Sequence, residues 1–414
     1  MHRLDNPIRP YPWGSKTAIA QLLGREPSGG PEAELWIGAH PDSPSTALMP
    51  DGTQVPLDEL LGRDAGSALG GTTVHRFGPR LPFLAKVLAA DRALSLQVHP
   101  TLAQAAEGFA AEERSGVSRS APQRNFRDPN HKPEMILALS RFEALCGFRC
   151  PAEAAELYRA LQGIFHRAGE PVPEAISAVL GLLGHPSPRE ALRIAFAYLL
   201  EGDEMIVEAV EATAGVLGMT QPPAEAALAV VAELGRTYPQ DPGVLVSLLL
   251  NHVILEPGQA LFLPAGNIHA YLRGLGFEVM AASDNVLRGG LTAKHVDIPL
   301  LLETVDFSPL PVPLVIPEAA HRSLRWRPPV EEFQLERISM ARGDRGPVKI
   351  RQNGPAVVIA LEGSGLVASS EGECLLRAGE VLLIPAAEFP AAIVPGPDAG
   401  ALTALAVTVG ESTR

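Results

Sequence analysis

Cysteine, lysine and aromatic residues are all scarce in this chain of 414 residues, and each scarcity narrows what it can be. Three cysteines (Cys146, Cys150, Cys374) cannot all pair, so no disulfide framework holds the fold. Cys146 and Cys150 stand in a Cys-x3-Cys spacing with no second cluster, a poor pattern for structural zinc. All three are expected to be reduced, buried small residues, as a reducing cytoplasm allows. No apolar run reaches the ~18 residues of a membrane span, and the opening Met1-His2-Arg3-Leu4-Asp5-Asn6-Pro7 lacks the apolar stretch of an export signal. A soluble, unexported, cytoplasmic protein is expected. Positive charge is short as well: Lys and Arg number 34 against 47 Asp and Glu, a formal net charge of −13. That balance disfavours nucleic acid or an anionic membrane as partner. Any anionic substrate must be held by local charge, and only five lysines (Lys16, Lys86, Lys132, Lys294, Lys349) supplement arginine.

What is present is the composition of a globular protein, 46% hydrophobic and 20% charged. The length suits two or three domains. Residues 1–100 carry short apolar runs between Gly and Pro turn signals (Ala33 to Gly38, Leu81 to Leu88, Leu94 to His99), which reads as β-rich. Thr101 to Gly116 has helical spacing and the polar Val117 to Asn130 that follows reads as an exposed, flexible loop. Met135 to Leu139 returns to a strand pattern. From Cys150-Pro151 the period changes: Pro151 to Ala168, Ser187 to Leu200, Asp203 to Leu217 and Pro223 to Gly235 repeat apolar residues at three and four, and Ser187-Pro188 makes a cap and first turn. These helices bear no clustered His, Cys or Lys and read as a structural insert. After Val253 strands resume (Val253 to Leu255, Ala260 to Leu263, Phe277 to Ala281). A Pro-rich stretch, Phe307 to Pro317, reads as a linker. Ala356 to Leu361, Glu380 to Ile384 and Ala401 to Val409 belong to a second all-β unit.

Gln97 and His99 are two apart in Ser95-Leu96-Gln97-Val98-His99-Pro100. On a strand such residues share a face, so one ion can touch the amide oxygen and the imidazole together. Alone this pattern is weak. The segment from Gly258 to His269 fits the second cupin signature, G-x5-P-x-G-x2-H, in which a tight turn presents a histidine into a barrel mouth. Gln97 then stands where the first cupin signature has its first histidine. Glu134, in Asn130-His131-Lys132-Pro133-Glu134-Met135, opens an apolar strand, where a buried carboxylate needs a partner and a cation is one. Gln97, His99, Glu134 and His269 together form a nitrogen and oxygen set typical of zinc with an open position. Near the C-terminus, Gly379 to Pro390 keeps G-x5-P but has Pro390 in the place of His269, so this second cupin is expected to be metal-free and structural or interfacial.

Several long segments in order resemble the type I mannose-6-phosphate isomerase family. They are Tyr11-Pro12-Trp13-Gly14-Ser15, Ala33 to Pro41, Leu94 to Pro100, Asp128 to Met135, Leu255 to Tyr271 and Ser283 to Thr292. The resemblance implies zinc, one ion per chain, on the same four residues, and interconversion of mannose 6-phosphate and fructose 6-phosphate through a cis-enediol(ate). It places the family's catalytic arginine on Arg288 and puts Lys132 in the same pocket. Lys132, Glu278 and Asp284 remain open as the proton-transferring base. Lys86, Ser95, Trp13, Glu278 and Asp284 are candidate substrate contacts, although Lys86 can instead pair with a core carboxylate. Asn125-Phe126-Arg127-Asp128 departs from the common Tyr-Lys of the family, and Ala293 from its Pro, without touching a ligand. The expected fold is mainly β with a helical insert: two cupin (jelly-roll) β-barrel domains plus an α-helical domain. The boundaries are 1–149 with 247–315 for the zinc cupin, 150–246 for the helices and 316–414 for the metal-free cupin. A small-molecule sugar phosphate is the expected partner, with no nucleic acid or membrane, in a monomer or weak homo-oligomer. The rival readings are a non-catalytic sugar-binding cupin and a metal cupin isomerase or oxygenase of another substrate; Gln97 in place of a histidine and the nearby lysines weigh against the oxygenase.

Overall fold

The computed structural model describes residues 1–219, 225–394 and 400–411. It is mostly β-sheet with helices, and two large sheets dominate, one of 12 strands and one of 11. In the 11-stranded sheet the central strands His269–Ala281, Phe83–Ala90 and Glu34–Ile37 lie side by side, with Glu134–Ala138 on the other flank of His269–Ala281. Phe83–Ala90 is buried at every position because both of its faces are covered.

Alternation sorts the two faces. Leu35, Ile37, Phe83, Ala85, Val87, Met135, Leu137, Phe277 and Val279 enter a core shared with Trp326, Leu335, Val357, Leu383 and Leu405 of the other sheet. The intervening residues, Glu34, Trp36, Lys86, Glu134 and Glu278, therefore point away from that core, into the concavity of their own sheet. Four ionisable groups thus share one inner face with Leu88, Ala90, Ile136 and Tyr271, which form a separate cluster.

The helices Pro151–Ala168, Glu174–Leu183, Pro188–Leu200, Glu204–Met219 and Ala226–Thr237 bury their apolar stripes in a single cluster. Ser187 accepts from the Glu190 N–H with Pro188 in the first turn. Gly169, at φ 73°, ends the first helix in the left-handed conformation that glycine adopts without strain. The helix placed over Pro223 to Gly235 runs over Ala226–Thr237; Pro223 and Ala224 lie outside the described residues.

Several expectations need correction. Residues 1–100 also hold the helices Ala18–Leu22, Leu57–Arg63, Ala65–Leu69 and Gly71–Phe77, too short to show a helical period. The 117–130 loop is not simply exposed. Its Arg124 is 5% exposed and is held by Glu112 and Glu113 of the Leu102–Arg114 helix, and the buried Phe126 ring lies against Gly108 of the same helix, so that ion pairs and an apolar contact together order the segment. The 307–317 stretch is more than a linker, since Phe307 packs on Phe148 and Phe196 and Leu314–Val315 pairs with Ala260–Leu263. Of the cysteines, all free, only Cys146 is buried; Cys150 is exposed at the start of a helix. The first strand, His2–Asp5, sits in the 12-stranded sheet between Val381–Ile384 and Thr46–Leu48, so the sheet of the C-terminal region recruits the N-terminus. Among the described residues, no helix is long and apolar enough to cross a membrane.

Candidate functional site

Strand register assembles the site. Gln97, in the two-residue strand Gln97–Val98, is paired with His269 on one side and with Arg288 on the other. Directly opposed residues project from the same face of a sheet, so the amide, the imidazole and the guanidinium stand in a row. His99 follows Gln97 by two and keeps that face. Glu134 arrives from the neighbouring strand, paired with Leu263 and Met280. The turn that delivers His269 needs Gly266 at φ 79°, where a Cβ would crowd the Thr304 carbonyl at 3.3 Å.

Nε2 of His99 lies 3.3 Å from Glu134 Oε1, and Nε2 of His269 lies 3.4 Å from Glu134 Oε2. The three residues are buried and offer ligand atoms within 4.8 Å of one another. Both imidazoles are oriented from behind: Nδ1 of His99 donates to the Asn285 carbonyl at 2.7 Å and Nδ1 of His269 to the Asn267 carbonyl at 3.1 Å. This fixes the tautomer that turns each Nε2 lone pair inward. Nε2 of His99 is buried with no hydrogen-bond partner among the described residues. An orphaned imidazole nitrogen beside a carboxylate is costly unless a cation completes it. Burial pushes His99 down, toward the neutral form that ligates. Burial opposes ionisation of Glu134, but Lys132 and His99 outweigh it and hold its carboxyl well below the ordinary range. The donor set of two imidazoles, a carboxylate and the adjacent Gln97 amide fits a tetrahedral zinc with room for an exchangeable ligand.

Lys132 Nζ lies 2.9 Å from Glu134 Oε1. Lys86 Nζ lies 3.5 Å from Glu34, 3.8 Å from Glu278 and 4.8 Å from the centre of the Trp36 ring. Burial works against its charge, yet the two carboxylates raise its pKa. For Glu278, burial first and the Glu134 charge second pull the carboxyl up to about 7. Tyr271, kept protonated by burial and by Glu278, donates its hydroxyl to Glu278 Oε1 at 2.9 Å. Asp284 is held below the usual range by a 3.1 Å contact with His40, against the effect of burial. Trp13 stacks on Tyr11 and packs against the cluster that contains Tyr271. Ser95 is half-buried on the approach to Gln97. The structure thus draws Gln97, His99, Glu134, His269, Lys132, Lys86, Glu278 and Arg288 around one concavity, with Asp284, Trp13 and Ser95 at its margins.

Two residues escaped the sequence reading. Asn285 is fully buried; its side chain accepts from Arg127 N and donates to the Asp128 and Asn130 carbonyls, while its own carbonyl orients His99. It lay in a segment that carried the resemblance, but nothing in its neighbours marked it as a clamp. Arg127 was noted only as a departure from a pattern. In the fold its charge acts on Arg288 and Lys294, and burial with that repulsion lowers both of their pKa values. Among the described residues, none of the three has an ion-pair partner, so the trio offers positive charge beside the candidate ligands.

Comparison with known proteins points one way. The family described as "Phosphomannose isomerase type I, catalytic domain" matches residues 1–151. Mannose-6-phosphate isomerase of Salmonella typhimurium is 39% identical over 395 residues, covering 94% of this chain and 96% of the relative. The Schizosaccharomyces pombe mannose-6-phosphate isomerase is 31% identical over 418 residues, covering 95% and 96%. A zinc-bound structure of mannose 6-phosphate isomerase superposes with a TM-score of 0.86 at 36% identity, over 99% of both chains. A substituted form of the Salmonella typhimurium phosphomannose isomerase reaches a TM-score of 0.88 at 35% identity, over 99% of this chain and 100% of the other.

Proposed function

The chain belongs to the type I phosphomannose isomerase family, and on that footing we propose that it interconverts mannose 6-phosphate and fructose 6-phosphate and depends on zinc. The observation that carries this reading is the convergence of His99 Nε2, His269 Nε2 and the Glu134 carboxylate, with both imidazoles braced by backbone carbonyls. His99, Glu134 and His269 would hold the ion, with Gln97 as fourth ligand on the strength of its register opposite His269. When bound, zinc supplies Lewis acidity toward the sugar oxygens.

The chain's own residues divide the remaining work. Arg127, Arg288 and Lys294 offer the positive charge that a phosphate needs in a protein of net charge −13. Arg288 also lies across from Gln97, close enough to the ligand row to favour negative charge on an oxygen of a cis-enediol(ate). Among the three base candidates, Lys132 is engaged by Glu134 and Asp284 by His40. Glu278 is the one whose carboxyl is pulled into the range suited to moving a proton at neutral pH. We assign to its Oε2 the removal of the C2 proton of the open-chain aldose and its return at C1, while the proton of the C2 hydroxyl passes to the O1 oxyanion of the enediolate so that O2 becomes the ketone oxygen. Lys86 holds that carboxylate in place, and Tyr271 fixes the other oxygen.

We further propose the two-cupin division, with 1–149 and 247–315 forming the zinc barrel, 150–246 the helical insert and 316–414 a metal-free barrel. The repeated G-x5-P segments at Gly258 and Gly379 support it, and so does the cluster of buried residues confined to the C-terminal strands. A cytoplasmic setting and a sugar phosphate as the small-molecule partner complete the reading. The test is a coupled assay in which zinc-loaded protein is given mannose 6-phosphate and fructose 6-phosphate formation is followed. Absence of turnover by fully metallated protein would overturn it.

A further inference from the structure

Between the Asn285 clamp and the strand that carries Glu134 run His131, Lys132 and Pro133, and this stretch is tied at its ends. At one end the Asn130 carbonyl accepts from Asn285 Nδ2 at 2.8 Å and from Ser283 Oγ at 3.1 Å, and its side-chain oxygen accepts from Arg80 at 2.7 Å. At the other, the Pro133 carbonyl accepts from Ala281 N at 3.1 Å and Glu134 opens the strand Glu134–Ala138. Among the described residues, neither His131 nor Lys132 has a backbone hydrogen-bond partner outside the sheet ladders. Their side chains must fix them.

Those side chains go separate ways. Lys132 precedes Pro133, which favours an extended backbone, and in an extended chain successive side chains project oppositely. Lys132 is buried and reaches Glu134 at 2.9 Å. His131 meets the C-terminal region, where its Nε2 lies 2.6 Å from Glu332 Oε1. Burial works against ionisation of Glu332, but the bond from His131 outweighs it and holds the carboxyl below its usual range. An ionised carboxylate can only accept, so His131 donates.

Glu332 is itself braced from both sides along the chain. Phe333, which follows it, is fully buried in the core shared by the two large sheets. Glu331, which precedes it, pairs with Arg76 at 3.0 Å, and its carbonyl accepts from Gly410 N at 3.1 Å. Among the described residues, His131 is the only side-chain partner of Glu332. The C-terminal region thus presents a carboxylate that cannot shift without disturbing a core, and that serves a segment of the other sheet.

We propose that Glu332 is a positioning residue for the isomerase site, an assignment that rests on the isomerase reading: by holding His131 from the C-terminal region it fixes the stretch that aims Lys132 into the concavity beside Glu134. A displaced Lys132 leaves the concavity with less positive charge where an enediolate forms. The test compares zinc-loaded full-length protein with Glu332→Ala, Glu332→Gln and, as control, Arg76→Met, which removes the neighbouring tie to Glu331. In Glu332→Ala kcat per bound zinc is expected to fall about tenfold with KM little changed, the lower end of what outer partners of a metal ligand cost. Glu332→Gln, which keeps the shape and an acceptor oxygen, recovers most of that loss, and Arg76→Met keeps kcat. Hydrogen exchange read by mass spectrometry follows the segment without reference to turnover: amides of residues 130–134 exchange about tenfold faster in Glu332→Ala, the scale of one lost bond to a charged group, and not in Arg76→Met. An unchanged kcat per zinc in Glu332→Ala, an equal fall in Arg76→Met, or a Glu332→Gln no better than Glu332→Ala overturns the proposal. If the unaltered zinc-loaded protein shows no turnover, the isomerase reading falls instead, and equal exchange in Glu332→Ala and the unaltered protein would show that Glu332 does not fix the segment either.

Discussion

Lys86 and Glu278 face each other directly across paired strands, with Nζ 3.8 Å from Oε2 at the centre of a buried sheet face. With Glu278 as the proposed base, the pair is expected to set the pH dependence of the reaction. Glu278 must be ionised to accept a proton, so kcat/KM rises with pH through its pKa and then levels. Burial and Glu134 place that value near 7, while Lys86 pulls it down. Zinc on Glu134 offsets part of the push from that carboxylate, so the acidic limb is expected at about 7 or somewhat below. Lys86→Met should move the limb to higher pH, and Glu278→Gln should abolish it together with most turnover. A pH profile unchanged in Lys86→Met would refute the coupling.

His269→Ala removes a proposed direct ligand. Loss of an outer partner of a metal ligand already costs about 10–100-fold in affinity, so this variant should lose more than about 100-fold and emerge from dialysis without zinc. Metal content by atomic absorption is the readout, and a full complement of zinc would be the contrary result.

Arg288→Ala should behave differently. The guanidinium lies beside the ligand row without belonging to it, so zinc content stays at one per chain while kcat falls by about 10²–10³, the scale of losing one preorganised donor to developing negative charge. Retention of activity would remove Arg288 from the chemistry.

Chelation should abolish turnover and added zinc should restore it. Because the imidazoles are held from behind by Asn285 and Asn267, the metal-free protein should keep its far-ultraviolet circular dichroism. Activity persisting after verified metal removal would contradict the zinc dependence.

Gly274 lies in the same long strand as His269 and Glu278, at φ 126°, where a Cβ would come within 2.7 Å of the Arg141 carbonyl. Gly274→Ala should therefore cost about 1–3 kcal/mol from backbone strain alone. It should lower Tm and zinc retention together, because the strand that strains is the one that carries the ligand. A normal Tm would show that the strand can relax.

The proposed ligand row could be assembled from the sequence because each of its members sits in a local pattern. Gln97-Val98-His99 has strand spacing, Gly258 to His269 is a turn whose geometry requires glycine, and Glu134 is a charge at the start of an apolar run. The long helices were legible for the same reason, through a period repeated over several turns. What the sequence could not show was made by pairing over distance. Lys86 finds Glu34 and Glu278 only once three strands are in register. Arg127, Arg288 and Lys294 become neighbours only when Asn285 clamps the loop. The short helices between Ala18 and Phe77 span too few turns to express a period.

The position of the His2–Asp5 strand bears on synthesis. Its partner Thr46–Leu48 is at hand early, but its other edge is covered by Val381–Ile384. On the ribosome that edge stays bare until nearly the whole chain has emerged. Folding of the C-terminal region thus seals the beginning of the protein, and a nascent chain stalled before it would display an open strand edge to its neighbours.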